Sequence, residues 1–273
     1  MSYKSIIVNL DIDGPVVPIL KLAIDLAMHF EARLIGFSAA EAHLPFGGPE
    51  GGAIAAEVWQ QEKDDIEHRL LKLHAEFDKL TAGAVKAEWR QMVGDPTRSL
   101  AVTARLADLI VIAARSGAAT GDAYRTVDPG SLVIQSGRPI LIAADADAPM
   151  AAKHAVIAWK DTREARRAVA DAVPLLLSAE EVSVVTVDRE PNEATRKAIA
   201  DVGAFLLHHG IKARTEVISA KDESRSLREF FGACRADIVV SGAYGHSRLR
   251  EWAFGGVTRS LLDQVGLNRF MAS

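Results

Sequence analysis

The chain has 273 residues, of which 49% are hydrophobic and 25% are charged, and its formal net charge is −4. These proportions are typical of globular proteins, and the length suffices for two ordinary domains or one large one. The slightly negative charge gives no electrostatic support for binding nucleic acid, and no apolar run approaches the length that a membrane span requires.

The N-terminal residues predict that the protein is located inside the cell. Residues 5–10 (Ser-Ile-Ile-Val-Asn-Leu) predict a buried strand that begins almost at once, without the apolar region and small-residue cleavage site of a signal peptide. The single cysteine, Cys234, excludes an internal disulfide and fits a reducing compartment. We therefore expect a cytoplasmic protein with no membrane partner and no redox role for Cys234.

The first half alternates predicted strands and helices. The apolar periodicity predicts strands over 5–10, 33–37, 84–93, 107–112 and 137–142, and helices over 16–30, 55–80 and 98–106, with Thr97 as the N-cap of the last. Strands joined through helices at this spacing form βαβ units, whose strands are parallel and whose crossovers are right-handed.

The pattern starts again after residues 145–153, which have the composition of a linker. The second half predicts strands over 154–159, 182–187, 213–218 and from 238, with helices over 164–177, 192–209 and 226–235. The sequence at 97–100 (Thr-Arg-Ser-Leu) matches that at 224–227 (Ser-Arg-Ser-Leu), and Ala-Asp-Leu-Ile-Val at 107–111 matches Ala-Asp-Ile-Val-Val at 236–240. We predict a duplicated α/β domain, with copies over 1–144 and 154–273.

A glycine-rich stretch follows the predicted strand at 238. Gly242, Gly245 and Gly255 have the spacing Gly-x2-Gly-x9-Gly, and a Gly255-Gly256 pair precedes a predicted helix that begins at Val257. Glycines before a helix allow a bound group to approach the free N–H groups of its first turn, which favour phosphate. The spacing matches neither the Walker A loop nor the Gly-x-Gly-x-x-Gly dinucleotide motif. Glycines after a strand also serve turns alone.

This stretch, with Gly-Ala-Tyr-Gly-His-Ser-Arg-Leu-Arg-Glu at 242–251, resembles the nucleotide-binding signature of the universal stress proteins. With the duplication, the whole chain resembles a tandem member of that family. The resemblance implies two Rossmann-like domains, each a five-stranded parallel sheet with helices on both faces, and pairing of the two halves within one chain through their last strands. It leaves homodimerisation open. The segment 266–273 is less apolar than 138–142 and predicts a short final strand.

The resemblance also implies a site for ATP or a related adenine nucleotide, with or without Mg²⁺, in the second half. The family has an aspartate after its first strand, where this chain has Lys160 followed by Asp161, and Gly256 replaces the usual hydroxyl residue, which Thr258 could supply. For Lys160 and Asp161 a solvated turn, and for Val187 a core strand position, are the simpler interpretations. The predicted nucleotide-binding residues are Ala158, Lys160, Asp161, Val187, Ser241, Gly242, Gly245, His246, Arg248, Gly255, Gly256, Val257 and Thr258.

The first half departs from the signature in the opposite way. Asp11 matches the position of the family's aspartate, but alanines at 113 and 114 stand where the first glycine is expected. Gly117, Gly130 and Ser131 keep parts of the loop. An alanine there narrows the approach of a phosphate. We predict a vestigial site that binds nucleotide weakly or not at all.

Three functions follow from these patterns. The first is a stress-response protein that acts by nucleotide binding and conformational signalling, because the sequence has no evident general base, metal cluster or nucleophile triad. The second is an interaction scaffold without a nucleotide site, which Lys160 and Gly256 favour. The third is a slow ATPase. A dedicated adenylating enzyme is disfavoured because neither half has a phosphate loop after its first strand.

Overall fold

The computed structural model describes residues 2–43, 52–114, 122–144, 152–244, 260–262 and 266–273, except for the side chains of 52–54. These residues form two compact units. One comprises Tyr3–Arg138, and the other comprises Pro139–Ser273 together with the first two residues. The predicted domains, 1–144 and 154–273, remain a prediction, because the two compact units are defined by contacts between residues and not by the repeat in the sequence.

The first unit alternates strands and helices. Its elements are β1 (Ser5–Asn9), α1 (Val16–Phe30), β2 (Arg33–Ala40), α2 (Gly52–Thr81), β3 (Ala87–Val93), α3 (Pro96–Thr103), β4 (Leu109–Ile112) and α4 (Pro129–Gln135). The strands lie in the order β3-β2-β1-β4, and all three ladders are parallel. The apolar residues of β1 and β4 are fully buried because helices cover the sheet.

The second unit repeats this plan. Its elements are β5 (Ile140–Ile142), β6 (His154–Ala158), α5 (Arg163–Leu176), β7 (Glu181–Asp188), α6 (Glu193–His208), β8 (Ala213–Ser219), α7 (Glu223–Ala233), β9 (Ile238–Gly242) and β10 (Asn268–Ala272). The strands β10-β9-β6-β7-β8 are parallel to one another. The predicted α/β class, with mostly parallel sheets flanked by helices, is confirmed.

Strand β5 belongs by sequence to the first repeat, but it pairs with the last strand of the second repeat. It belongs to the second unit, where it pairs antiparallel with β10 through Ile142↔Arg269, Leu141↔Phe270 and Ile140↔Met271. The ladder covers the edge of β10 that β9 leaves open. The last strands of the two sequence repeats are therefore hydrogen-bonded to each other.

Three sequence expectations differ from the structure. Asp95, and not Thr97, is the N-cap of α3, because its carboxylate accepts the Arg98 N–H at 2.8 Å. Thr97 instead accepts the backbone N–H of Asp128 through its hydroxyl oxygen at 2.9 Å. Strand β10 is not short, since it spans five residues and β5 only three. Helix α4 was not predicted.

Arg269 holds the end of the chain in place from within β10. Its side chain is fully buried, and its guanidinium donates to the carbonyl oxygens of Leu262 at 3.0 Å, Ala143 at 3.3 Å and Leu261 at 3.4 Å. A buried guanidinium requires such acceptors, because desolvation of its charge is otherwise costly. Arg269 thus joins β10 to residues 261–262, which follow the glycine-rich stretch, and to the residue after β5.

Candidate functional site

The carboxyl ends of β6 and β9 meet at one edge of the second unit's sheet. Ala158, the last residue of β6, lies opposite Ser241 in the parallel ladder, and Gly242 ends β9. The Ser241 side chain is buried, and its hydroxyl donates to the Gly242 carbonyl at 3.0 Å. Three predicted site residues, Ala158, Ser241 and Gly242, are therefore adjacent at the edge where open parallel sheets bind ligands.

Gly242 packs tightly against the first turn of α5. A Cβ atom at this position would lie 2.4 Å from the Ala165 nitrogen, 2.7 Å from the Glu164 carbonyl carbon and 2.9 Å from the Ala165 Cα. These neighbours are backbone atoms, so no side chain can move aside. The absence of a side chain at Gly242 is therefore required by the close approach of strand and helix, whether or not a ligand binds.

Lys160 forms an ion pair across the same edge. Its ammonium donates to the Glu223 carboxylate at 3.3 Å, and Glu223 is the first residue of α7. Asp188, the last residue of β7, adds a carboxylate nearby. The pKa of Asp188 is lowered first by a hydrogen bond from the Thr195 hydroxyl and, to a smaller extent, by the charge of Lys160. Lys160 is thus a partly neutralised cation at the end of β6.

Asp161 is hydrogen-bonded to α5, the helix that follows it. Its carboxylate accepts two hydrogen bonds from the Arg166 guanidinium, at 2.5 Å and 3.1 Å. The adjacent Thr162 is the N-cap of α5, because its hydroxyl oxygen accepts the Ala165 N–H at 3.2 Å. The first turn of α5 is therefore fixed by side chains of the loop that leaves β6.

Val187 has the surroundings of a core residue. It is half-buried near the end of β7, where it pairs with Ile218 of β8 and packs against the apolar cluster that contains Ala158, Leu227 and Phe231. This cluster joins the sheet to α7. The apolar side chain of Val187 is thus explained by packing, while its backbone lies close to the carboxyl edge.

The remaining predicted residues of the second half lie outside the described residues. They are Gly245, His246, Arg248, Gly255, Gly256, Val257 and Thr258. Gly117 of the first half lies outside them as well.

In the first unit, Asp11 lies just past the carboxyl end of β1. Its carboxylate accepts the Asn9 side-chain amide at 2.8 Å and the Val127 N–H at 3.4 Å. The pKa of Asp11 is raised from 3.8 to about 6, because burial raises it by more than the two hydrogen bonds lower it. Asp11 therefore already has partners within the chain, and its charged form is costly.

Residues 122–128 fold back over the same edge. The Arg125 guanidinium donates to Asp13 at 2.5 Å and 3.3 Å, and Arg69 of α2 contacts the same carboxylate. The Tyr124 carbonyl accepts the Glu41 N–H at 2.8 Å. These contacts attach the segment before α4 to β1, β2 and α2. They place Arg125 and Asp13 at the carboxyl edge of the first unit's sheet, in a position equivalent to that of Lys160 in the second half.

Helix α4 has an internal cap. Asp128 is its N-cap and accepts the Ser131 N–H at 2.7 Å, and Gly130 is buried within the first turn. Gly130 and Ser131 are the predicted remnants of the phosphate loop. The Asp128 carboxylate therefore already accepts the Ser131 N–H, one of the backbone donors that would face a phosphate bound in the first half.

Comparisons with known proteins identify the fold. No family model and no curated protein matches the sequence. The structure does match a universal stress protein from Archaeoglobus fulgidus DSM 4304, with a TM-score of 0.76 at 12% identity over 98% of this chain and 96% of the other. It also matches a putative universal stress protein from Pseudomonas aeruginosa UCBPP-PA14, with a TM-score of 0.62 at 15% identity over 99% and 93%.

The chain has the universal stress protein fold. A third match, a functionally unknown protein from Pseudomonas aeruginosa PAO1, has a TM-score of 0.61 at 15% identity and covers 99% of this chain and 92% of that one. These matches run along nearly the whole chain, so the likeness includes both halves. The α/β fold with a mostly parallel sheet, which the resemblance implies, is confirmed, whereas the described residues of the first unit form four parallel strands and not the five expected.

Several residues that shape this universal stress protein fold at its carboxyl edges were not singled out from the sequence. Glu223 pairs with Lys160 over a separation of 63 residues, and Arg125 pairs with Asp13 over 112. No local pattern predicts contacts over such separations. Asp128 is different, because Asp-Pro-Gly before an apolar run is a readable N-cap signal.

Two further features concern metal binding and membrane insertion in the described part of the chain. None of its residues form a group of three or more histidine, cysteine, aspartate or glutamate side chains that could hold a metal ion. Among the same residues, no helix combines the length and the apolar character needed to cross a membrane.

Proposed function

We propose that the chain is a tandem member of the universal stress protein family that binds ATP or a related adenine nucleotide in its second half. It acts in the cytoplasm by binding and conformational signalling in a stress response. The observation that carries the proposal is the glycine signature that begins at Gly242, on a strand whose carboxyl end adjoins that of β6. Open parallel sheets bind ligands at this edge.

The ion pair at Lys160 suggests how the site responds to nucleotide. In the part of the chain that the structure describes, its ammonium forms one ion pair, with Glu223, and the side chain is more than half exposed. An exposed pair of this kind contributes only about 0–1 kcal/mol, so a phosphate can compete for the lysine at low cost. Nucleotide binding then releases Glu223, which begins α7, and couples the site to that helix.

The contacts that the first half makes among its own residues support the proposal that it binds nucleotide weakly or not at all. Arg125 is bound to Asp13, Asp128 caps α4, and Asp11 accepts a backbone N–H. A nucleotide would have to displace these groups. The antiparallel β5–β10 ladder likewise supports pairing of the two repeats within one chain.

Calorimetric titration of nucleotide-stripped protein with ATP and Mg²⁺ tests the proposal. The wild type is compared with Gly245→Val/Gly255→Val, and Gly117→Val in the first half is the matched control. We expect one site of micromolar affinity, equivalent to about 8 kcal/mol, in the wild type and the control, and none in the double variant. Two sites would show that the first half binds as well. Absence of heat together with an unchanged melting temperature would overturn the nucleotide site.

The second candidate is an interaction scaffold that binds no nucleotide. It is favoured by Gly242, whose lack of a side chain is explained by packing against α5, and by Lys160, whose charge is already paired. A slow ATPase is the lesser alternative. Phosphate release that is linear in time, well above background and lost in Gly255→Val would support it.

A further inference from the structure

A pocket opens between α5 and α6 of the second unit. Its volume is about 540 Å³, which lies within the range of small-molecule sites. One wall is formed by Arg166, Val169 and Ala170 of α5, and Trp159 lies at the end nearest the sheet. Among the described residues of the predicted nucleotide site, Asp161 alone contributes to the lining.

The other wall is one stripe of α6. Its lining residues recur at helical spacing and include Ala194, Lys197, Ala198, Asp201, Val202 and Phe205. The corresponding helices of the first unit, α1 and α2, pack against each other, and α2 buries Ile66, Leu70 and Leu73 in an apolar cluster with Ile12. Helix α6 likewise buries Ile199 and Leu206, whereas the stripe that lines the pocket carries Ala194 and Ala198.

The lining combines aromatic surface with two cationic side chains, Arg166 and Lys197, and two carboxylates, Asp161 and Asp201. Trp159 and Phe205 supply rings, and the buried Val169 and Val202 supply aliphatic surface. Trp159 is 7% exposed, and its indole N–H has no acceptor within the described part of the chain. Lys197 likewise has no ion-pair partner among the described residues, whereas Arg166 is committed to Asp161.

We propose that this pocket binds a small organic anion with an apolar ring body and one acidic group. The ring packs between Phe205 and Ala198 on the α6 wall and Val169 and Ala170 on the α5 wall, and the acidic group is bound by the Lys197 ammonium. The unpaired indole N–H of Trp159 supplies a further donor at the inner end. This pocket shares Asp161 with the proposed nucleotide site but none of the other described residues of that site, and the proposal does not depend on nucleotide binding.

The probe that tests the proposal is 1-anilinonaphthalene-8-sulfonate, which has aromatic rings and one sulfonate. The full-length protein is titrated while the fluorescence of the probe is followed. We expect saturable binding at one site and an affinity about tenfold lower in Ala198→Leu, which fills the pocket. Ala200→Leu, two residues along α6 and outside the lining, is the matched control and keeps the affinity of the wild type.

Charge and position are tested separately. Lys197→Gln is expected to weaken binding several-fold, while Arg196→Gln, which lies outside the pocket, has no effect. Energy transfer from tryptophan to the bound probe should fall in Trp159→Phe and persist in Trp89→Phe, whose tryptophan lies on β3. If Ala198→Leu unfolds the protein, Ala170→Leu fills the pocket from the α5 side. Equal affinity in the filling variants and in Ala200→Leu, or no saturable binding in the wild type, would overturn the proposal.

Discussion

Asp11 is a carboxyl group that the first half holds in an unfavourable environment. Its pKa is raised by burial from 3.8 to about 6, so ionisation at neutral pH opposes folding. The penalty is absent below pH 3.8, grows as the pH rises toward 6, and is complete above that value. We expect Asp11→Asn to stabilise the protein at pH 8 by at most about 3 kcal/mol, and by little at pH 4.

Urea denaturation of both proteins at pH 8 and pH 4 measures this difference. Asp13→Asn is the control, since it weakens the ion pairs with Arg69 and Arg125 and should destabilise the protein at pH 8. Equal stability of Asp11→Asn and the wild type at both pH values would contradict the raised pKa.

Gly242 should be intolerant of a single methyl group. A Cβ atom there would meet the backbone of Ala165 at 2.4 Å, so Gly242→Ala must push β9 and α5 apart. We expect a loss of about 1–3 kcal/mol in unfolding free energy without any ligand present. Gly232→Ala in α7 is the control. A Cβ atom there meets nothing within 4 Å, and alanine raises helix propensity by up to about 1 kcal/mol. Equal stability of the two variants would refute the packing argument.

Removal of Glu223 should expose the charge of Lys160 to a ligand. In Glu223→Gln the lysine loses its carboxylate partner, so we expect ATP affinity to rise by up to about fivefold, as the strength of an exposed pair implies. Glu229→Gln removes the exposed pair with Arg225 on the same helix and should leave the affinity unchanged. A fall in ATP affinity in Glu223→Gln, measured by the same titration, would count against a role for Lys160 in phosphate binding.

At the scale of elements, helix α4 depends on its N-cap residue, Asp128. Asp128 accepts the Ser131 N–H at 2.7 Å, and the helix has only seven residues. We expect Asp128→Ala to lower the melting temperature, at a cost of about 1 kcal/mol in unfolding free energy. Asp128→Asn keeps a capping oxygen and should cost much less. If both variants unfold alike, the carboxylate charge and not the cap stabilises α4.

Most elements could be predicted from the sequence because their signals are local. The apolar run Ile238–Val240 predicts a buried strand, and the apolar periodicity of residues 16–30 predicts a helix, without reference to any other segment. The exceptions depend on contacts between distant segments. Thr97 was predicted to cap α3, but its hydroxyl bonds Asp128, and Asp95 caps the helix. Of the candidate site, the sequence indicated the edge of the sheet through Ser241 and Gly242, but not the partners of Lys160 and Asp161.

For the whole molecule, the partner of β10 decides where the chain can be divided. Residues 139–273 retain β5, which covers the edge of β10, whereas residues 152–273 leave that edge unpaired. An exposed strand edge is a template for pairing with another chain. We expect the fragment 152–273 to dimerise or aggregate more strongly than the fragment 139–273 at equal concentration, because the open edge is five residues long in β10 and only three in β5. Light scattering after gel filtration measures both masses. Identical masses would show that β5 does not protect this edge.

The close contact of Gly242 with α5 also has a consequence for ancestry. A lineage that stopped using a ligand at this edge would still be selected to keep this glycine, because the strand and helix could not otherwise approach each other. Gly242 is therefore a record of folding constraint, and it can persist after an activity is lost. In chains related to this one, substitutions at Gly245, Gly255 and Gly256, unlike those at Gly242, would report on selection for the binding that we propose.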